Sequence, residues 1–290
     1  AASAQELRAE IRRRPDAPET HPVYEVDLVT DSGLAPDPLS PFIPQRSVQR
    51  RPMRTVPLTT AQKQALQDSV GEHYSVRWFE SGAERWGMAR LMFANAKLRL
   101  TLPEAYSVHR DIIEWDTRFS DDKVPDRALG LDAMTLKLMR WVMTNWERVR
   151  FFNTWLAGHL TPRVEMDLLP GVLCAAHFAI VARRVPQTVD DYVAAGRAVQ
   201  RFWLTATQQG LQLQPELTPL IFGRYVREGT TFSQMDGARE QAAKLLNRLG
   251  FLLKDVPTEQ VAFIGRIGSG KAASSRSLRQ ATSPKSPSPN

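Results

Sequence analysis

A short apolar run, GVLCAAHFAIVAR at 171–183, most constrains what this chain can fold into. The run is rich in small and branched residues and lacks the apolar–polar alternation of a half-exposed strand. A continuous apolar run of this length is typical of a strand that is buried on both faces. A later run, EQVAFIGRIG at 259–268, predicts a second strand near the end of the folded part.

Helical patterns occupy most of the chain around these strands. Thr59 or Thr60, after a proline, can cap the first of the patterns, and glycine closes two others. The longest pattern is apolar at spacings of three and four, and its charged residues exclude a membrane helix. We expect it to form a core or subunit-interface helix. The predicted helices cover 57–70, 83–100, 102–115, 132–159, 188–210 and 233–250, and a loop or short strand follows at 211–222.

The two ends of the chain differ in composition from its centre. Residues 1–40 form a basic, proline-rich N-terminal arm, in which 4–14 favour a short helix and 23–29 a strand. Residues 269–290 are rich in Ser, Pro, Ala and basic side chains, a composition typical of a disordered tail. The sequence therefore predicts one domain at 41–268 between an arm and a tail.

Charge and cysteine usage narrow the class of protein. The net charge of +7 favours an anionic partner, but it does not choose between a phosphate-bearing cofactor and a nucleic acid. A single cysteine, Cys174, excludes an intramolecular disulfide and fits a reducing compartment, so we expect a cytoplasmic protein. No apolar run reaches the roughly 18 residues of a membrane span, so no membrane partner is expected.

A glycine-rich stretch, GRIGSGKA at 265–272, resembles the start of a P-loop. Ala272 stands where a P-loop places the hydroxyl that binds magnesium, and no helical pattern follows it. We therefore expect no ATP site here.

Metal and nucleophile chemistry also lack a recognisable pattern. The histidines have no metal-ligand spacing, so no metal site is predicted, and no G-x-S-x-G elbow presents a serine. His177 lies inside the apolar run and is expected to be a core residue. The histidines are His21, His73, His109, His159 and His177.

The segment IPQRSVQRRPMR at 43–54 concentrates basic side chains. On a helical turn, Arg46 and Arg50 would project from one face, and Ser47 would add a hydroxyl, so that together they could hold a phosphate dianion. A solvated basic loop is the alternative for this stretch.

Read with VPLTTAQKQAL, this segment resembles the opening of nitroreductase-family flavoproteins, where a basic turn binds the phosphate of FMN. The stretch 112–130 resembles the lid region of the mycobacterial FMN-sequestering branch, and 196–222 resembles the late helix and loop beside the flavin. The strand at 259–268 and the following SSRSLR resemble the C-terminal strand and the basic residues that return to the phosphate.

The family's A-P-S-x-x-N-x-Q-P-W segment does not occur in this chain. In that respect, the chain resembles the nitroreductase-like C-terminal region of ThiF-fused molybdopterin biosynthesis proteins. An adenylyltransferase-type domain would then be a partner within a longer protein.

The resemblance implies an α+β, nitroreductase-like fold, with a mostly antiparallel sheet covered by helices. It also implies an FMN-dependent oxidoreductase that transfers hydride from NAD(P)H to a small-molecule acceptor, and a homodimer. No catalytic side chain is assigned, because the flavin would carry the chemistry. The residues implied to bind FMN are Arg46, Ser47, Arg50, Gln209, Leu211, Gln212, Gln214, Arg276 and Arg279.

Two alternatives remain. The chain could be a catalytically silent domain that sequesters FMN, or a partner domain of a longer protein. A nucleic-acid-binding protein is the weakest interpretation, because the basic segments lack interleaved aromatic residues.

Overall fold

A four-stranded antiparallel sheet forms the centre of the protein. The structure is a computed structural model that describes residues 1–155 and 160–278. The strands lie across the sheet in the order β3 (Tyr74–Phe79), β7 (Ala176–Ala182), β9 (Val261–Ser269) and β8 (Leu211–Pro215).

Helices cover both faces of this sheet and give three layers. A separate hydrophobic core, built with helices, packs against each face of the sheet. A further group of helices lies beside the sheet. The helices are α1 (Thr60–Ser69), α2 (Gly82–Thr101), α3 (Pro103–Ile112), α4 (Ala133–Val142), α5 (Trp146–Trp155), α6 (Leu160–Arg163), α7 (Leu169–Val172), α8 (Val189–Gln208), α9 (Thr218–Glu228) and α10 (Ala238–Leu253).

The central strands confirm the two predictions made from apolar runs. Every residue of β7 is buried, because β3 and β9 flank it and helices cover both of its faces. Alternate residues enter opposite cores, Phe178 on the α8 side and Ala179 on the α2 side. An α+β fold with a mostly antiparallel sheet covered by helices is therefore confirmed.

The single long helix predicted at 132–159 is wrong. The described part of this region forms two helices, α4 and α5, that are separated at 143–145. The Asn145 side chain accepts a hydrogen bond from the Glu147 amide at 2.7 Å and so caps the start of α5. The Tyr106 hydroxyl donates to the Met143 carbonyl at 3.0 Å, which satisfies a group at the end of α4.

In the N-terminal arm, the predicted short helix at 4–14 is wrong. The residues form β1 (Leu7–Arg13), which pairs antiparallel with β2 (Tyr24–Thr30). Pairs such as Ile11 with Val26 align apolar side chains across the hairpin, and this non-local pairing outweighs the local helical pattern. The Tyr24 hydroxyl donates to Asp190 at 3.0 Å and ties the hairpin to the start of α8.

Four short strands lie near the helices beside the sheet. They form two parallel pairs, β4 with β6 and β5 with β10, so the chain that leaves β9 returns to the body of the protein. The remainder of the predicted tail, 279–290, lies outside the described residues. The short strands are β4 (Ile113–Glu114), β5 (Phe119–Ser120), β6 (Val124–Pro125) and β10 (Arg276–Ser277).

Across the described residues, we find no helix with the length and apolar character needed to span a bilayer.

Candidate functional site

The arginine-rich segment runs along the edge of the sheet and does not form a helical turn. Val48 makes a parallel β-bridge with Leu213, and the Gln49 amide donates to the Leu213 carbonyl at 3.0 Å. The helical premise behind the arginine pair is therefore wrong, because the exposed edge of β8 offers backbone partners that hold these residues extended. Arg46 and Arg50 nevertheless line a common cavity.

This cavity of about 140 Å³, here called the arginine cavity, brings together residues from distant parts of the chain. Arg46, Ser47 and Arg50 come from the arginine-rich segment, and Arg276 comes from β10. Arg276 donates to the carbonyl of Pro44 at 3.0 Å, which fixes it beside the arginine segment. The arginine cavity also contains the hydroxyl-bearing residues Ser275 and Ser277.

Trp203 of α8 closes the arginine cavity from the side of the sheet. The guanidinium carbon of Arg46 lies 4.2 Å from the centre of the Trp203 ring. A guanidinium stacked on an aromatic face keeps its charge, and its edge remains able to donate hydrogen bonds. The stacking therefore orients Arg46 without neutralising it.

A second, larger space of about 430 Å³ adjoins the arginine cavity and shares Arg50 and Val124 with it. Its walls are mainly apolar side chains of α3, α4 and α5, and we call it the apolar cavity. Arg99 and His109 also line it. Burial, helped by the charge of Arg99, lowers the pKa of His109 to about 4, so this imidazole is neutral near pH 7.

A third space of about 80 Å³, the carboxylate cavity, also includes Arg50 and Arg99. It lies against a buried ionic cluster of His177, Glu216 and Arg266. Glu216 accepts hydrogen bonds from His177 Nδ1 at 2.7 Å and from Arg266 Nη1 at 3.0 Å. Arg266 and His177 are cross-strand partners on β9 and β7, so the register of the sheet brings them together.

His177 is held as an imidazolium. Its Nδ1 faces the Glu216 carboxylate and its Nε2 lies 2.8 Å from the Gly171 carbonyl, so both nitrogens must donate. Burial alone would lower the pKa of His177, but the Glu216 carboxylate outweighs it and raises the pKa to about 10. This places His177 in the core, as predicted, but as a charged residue.

The other groups around the carboxylate cavity respond to burial. Burial raises the pKa of Asp167 to about 6, although Arg99 and Arg266 oppose the shift. Burial lowers the pKa of Arg50 to about 10, with repulsion from Arg99 and Arg266 in the same direction, and it remains protonated near neutral pH. Positively charged side chains therefore outnumber carboxylates where the three cavities meet.

The remaining residues predicted to bind a cofactor are divided between the core and the cavities. Leu211 is buried in the α8-side core and Gln209 is the C-terminal cap of α8, whereas Gln214 lines the carboxylate cavity. Gln212 lies beside Gly270 at the end of the sheet. Arg279 lies outside the described residues.

Sequence reasoning missed several residues of these cavities. Trp203 was part of a predicted helix, and its role depends on the position of Arg46. Arg99 was part of a predicted helix, Glu216 lay in a predicted loop or short strand, and Asp167 had no assignment. A lone carboxylate at 216, directly after the alternating LQLQP strand, was a signal that could have been used. Asn95 Oδ1, Asp167 Oδ2 and Gln214 Oε1 at the carboxylate cavity have no hydrogen-bond partner among the described residues.

Comparison with known proteins gave matches only among solved structures. No family model matches the chain, and the search of curated proteins found no match. The chain is similar to a nitroreductase with bound FMN from Bacteroides fragilis NCTC 9343, with 11% identity, a TM-score of 0.41 and coverage of 88% of this chain and 98% of that one.

Two further structures are similar to this chain. The FMN-dependent nitroreductase NfnB from Mycobacterium smegmatis, in complex with NADPH, has 14% identity and a TM-score of 0.43, with 86% of this chain and 96% of that one covered. A nitroreductase-like family protein from Bacillus cereus has 11% identity and a TM-score of 0.34, with 88% and 93% covered.

Proposed function

We propose that this chain is a nitroreductase-like flavoprotein that binds FMN with its phosphate in the arginine cavity. One observation carries the proposal: Arg46, Ser47 and Arg276, which lie at opposite ends of the sequence, line one small cavity. Two guanidinium groups with neighbouring hydroxyls suit a phosphate dianion, which accepts charge-assisted hydrogen bonds on several oxygens.

The surroundings of the arginine cavity also fit the rest of the cofactor. The apolar cavity of about 430 Å³ shares Arg50 with the arginine cavity, and a flat aromatic ring system suits a mainly apolar space with few polar groups. Arg50 would supply a polar contact near the ring, and Gln214 lines the adjoining carboxylate cavity. When bound, FMN would take hydride from NAD(P)H and deliver it to a small-molecule acceptor.

The protein's own contribution would be electrostatic. Arg50 and Arg99 line both the apolar and the carboxylate cavities, and their positive charges would favour an electron-rich ligand between them. His109 is neutral and the other walls are largely apolar, so the apolar cavity would limit access of water to the bound ligand.

FMN titration of the purified chain, followed by quenching of flavin fluorescence, tests this proposal. We expect Arg46→Gln and Arg276→Gln each to weaken FMN binding by about 1.5–3 kcal/mol, the range for hydrogen bonds to charged groups. Arg248→Gln, an exposed change on α10, is the matched control and should leave affinity unchanged. Equal FMN affinity in the parent and in the double variant would refute the phosphate assignment.

NAD(P)H oxidation by the FMN-loaded protein separates an oxidoreductase from a silent FMN-sequestering domain. We expect turnover in the presence of a small-molecule acceptor. Tight FMN binding with no turnover would favour the silent domain.

A homodimer and a cytoplasmic location belong to the same proposal. The exposed apolar side chains of α4 and α5 support the first, with Met134 81% and Trp141 50% exposed. The single cysteine, Cys174, supports the second. An adenylyltransferase-type domain in a longer parent chain remains part of the proposal and is tested by sequencing the surrounding reading frame.

A further inference from the structure

A cleft of about 440 Å³ lies beside the arginine cavity and gathers basic side chains that the flavin proposal does not use. We call it the outer basic cleft. Arg51 and Arg54 come from the arginine-rich segment, Arg127 follows β6, and Lys271 belongs to the glycine-rich stretch after β9. The two basic features of the sequence that remained unexplained thus meet at one place.

The four cations of the outer basic cleft have no compensating carboxylate. The residues that line the cleft include no Asp or Glu. Within the part of the chain that the structure describes, none of the four lies within 4.0 Å of a carboxylate oxygen, whereas exposed arginines elsewhere, such as Arg110 and Arg224, do form ion pairs. A concave surface of one sign attracts an anion from solution.

The walls of the outer basic cleft are fixed by the backbone. The Arg54 amide donates to the Ser269 carbonyl at 2.8 Å, and the Gln49 side chain donates to the Lys271 carbonyl at 2.8 Å. A Cβ at Gly268 would lie only 3.1 Å from the Arg54 carbonyl, so glycine permits this close approach. Binding an anion therefore would not require either of these two backbone segments to become ordered.

The form of the outer basic cleft favours a small phosphorylated ligand over a nucleic acid strand. Single-stranded nucleic acids bind where aromatic side chains stack on the bases, and no aromatic residue lines this cleft. Pro52 and the buried Met53 offer a short apolar surface beside the cations. Coil and the short β10 follow β9, so the P-loop arrangement of a helix N-terminus around magnesium is absent from this described stretch.

We propose that the outer basic cleft binds a small phosphorylated molecule through a pyrophosphate-type group held by Arg51, Arg54, Arg127 and Lys271. The site is separate from the arginine cavity and does not depend on FMN. The four cationic side chains neutralise the phosphate charge themselves, so binding does not need magnesium. Because these side chains are exposed, binding weakens as salt rises.

Isothermal titration of the purified full chain with inorganic pyrophosphate, ADP and AMP, in EDTA, tests the proposal. We expect pyrophosphate and ADP to bind, and AMP, with one phosphate fewer, to bind more weakly. Arg54→Gln and Lys271→Gln should each weaken pyrophosphate binding about three- to fivefold, and the double variant about tenfold or more. Arg248→Gln on α10 is the matched control, with an unchanged affinity.

Pyrophosphate could instead bind in the arginine cavity, and variants of the two sites distinguish these locations. The Arg46→Gln, Arg276→Gln double variant should lose FMN affinity and keep pyrophosphate affinity, whereas the Arg54→Gln, Lys271→Gln variant should do the reverse. Pyrophosphate binding that follows Arg46 and Arg276, that requires magnesium, or that is absent from the parent would overturn the proposal. Tighter binding of a single-stranded oligonucleotide than of ADP to the cleft would also overturn it.

Discussion

Replacing Glu216 by Gln should expose the energetics of the buried ionic cluster. Glu216 is 6% exposed and its carboxylate is the counterion of both His177 and Arg266. A glutamine can keep both hydrogen bonds, because its oxygen can accept from Arg266 and its amide can donate to His177 Nδ1 once that nitrogen has lost its proton. The substitution therefore removes the charge while preserving the shape.

Two magnitudes follow from this arrangement. Breaking a buried ion pair by removing one partner costs about 3–5 kcal/mol. The pKa of His177 is raised from 6.5 to about 10, and a shift of that size corresponds to roughly 5 kcal/mol in favour of the imidazolium. Loss of the His177 proton limits the damage in the variant, so we expect a loss of about 3 kcal/mol in the free energy of unfolding near neutral pH.

The pH dependence of this loss is the sharper prediction. At a pH above the pKa of His177 in the unfolded chain, the folded parent holds one proton more than the unfolded chain. The stability that the charged His177 contributes therefore falls as the pH rises towards and through its pKa in the folded protein. In the Glu216→Gln variant, His177 is neutral in both states over that window. The stability advantage of the parent should therefore shrink by about 1.4 kcal/mol per pH unit between about pH 7 and about pH 9.

Urea denaturation of parent and variant at several pH values measures this difference, and groups common to both proteins cancel. Asp167 does not interfere, because its pKa of about 6 lies below the window. Glu240→Gln, an exposed change in the first turn of α10, should show no such slope. A parent advantage that stays constant with pH would mean that His177 is not charged in the folded protein, and would refute the reasoning.

Two further predictions concern assembly and packing. Trp141→Glu should convert the proposed homodimer to a monomer in sedimentation velocity, because it places a charge in the exposed apolar face of α4. The control, Phe251→Glu on α10, should leave the mass unchanged. A monomeric parent would contradict the dimer. Gly265→Ala should destabilise the fold by about 1–3 kcal/mol in urea denaturation, since its Cβ would lie 2.8 Å from the Gln214 carbonyl oxygen. Gly196→Ala in α8, whose Cβ would meet no described atom within 4 Å, should instead stabilise the fold by about 1 kcal/mol. Equal effects of the two glycine substitutions on stability would contradict this account.

Local signals predicted the parts of the fold that depend on neighbouring residues. The apolar runs predicted β7 and β9, and Thr188, with Asp191 three residues later, forms the capping box that starts α8. The break between α4 and α5 was also readable, because Asn145 is a preferred N-cap residue. The amphipathic pattern on both sides of Asn145 concealed it.

Non-local pairing produced the remaining errors. The charged β1 has a helix-compatible pattern, and only its pairing with β2 makes it a strand. The buried cluster needs the register of β7 against β9, which places His177 opposite Arg266, and no local pattern specifies that register. The resemblance to a known family placed Arg276 near Arg46 in advance, although nothing in their local sequences connects them.

The arginine-rich segment shows why a correct grouping can follow from a wrong conformation. A helical turn would place Arg46, Arg50 and Arg54 on one face, since they are four residues apart. Pairing with β8 extends the chain instead, so the consecutive residues Arg50 and Arg51 face different spaces, Arg50 the buried cavities and Arg51 the outer basic cleft. Arg54 also lines the outer basic cleft, where its amide donates to the Ser269 carbonyl at the end of β9. The extended backbone therefore divides one basic segment between the two proposed anion sites, which a helix with the same sequence would have merged into one.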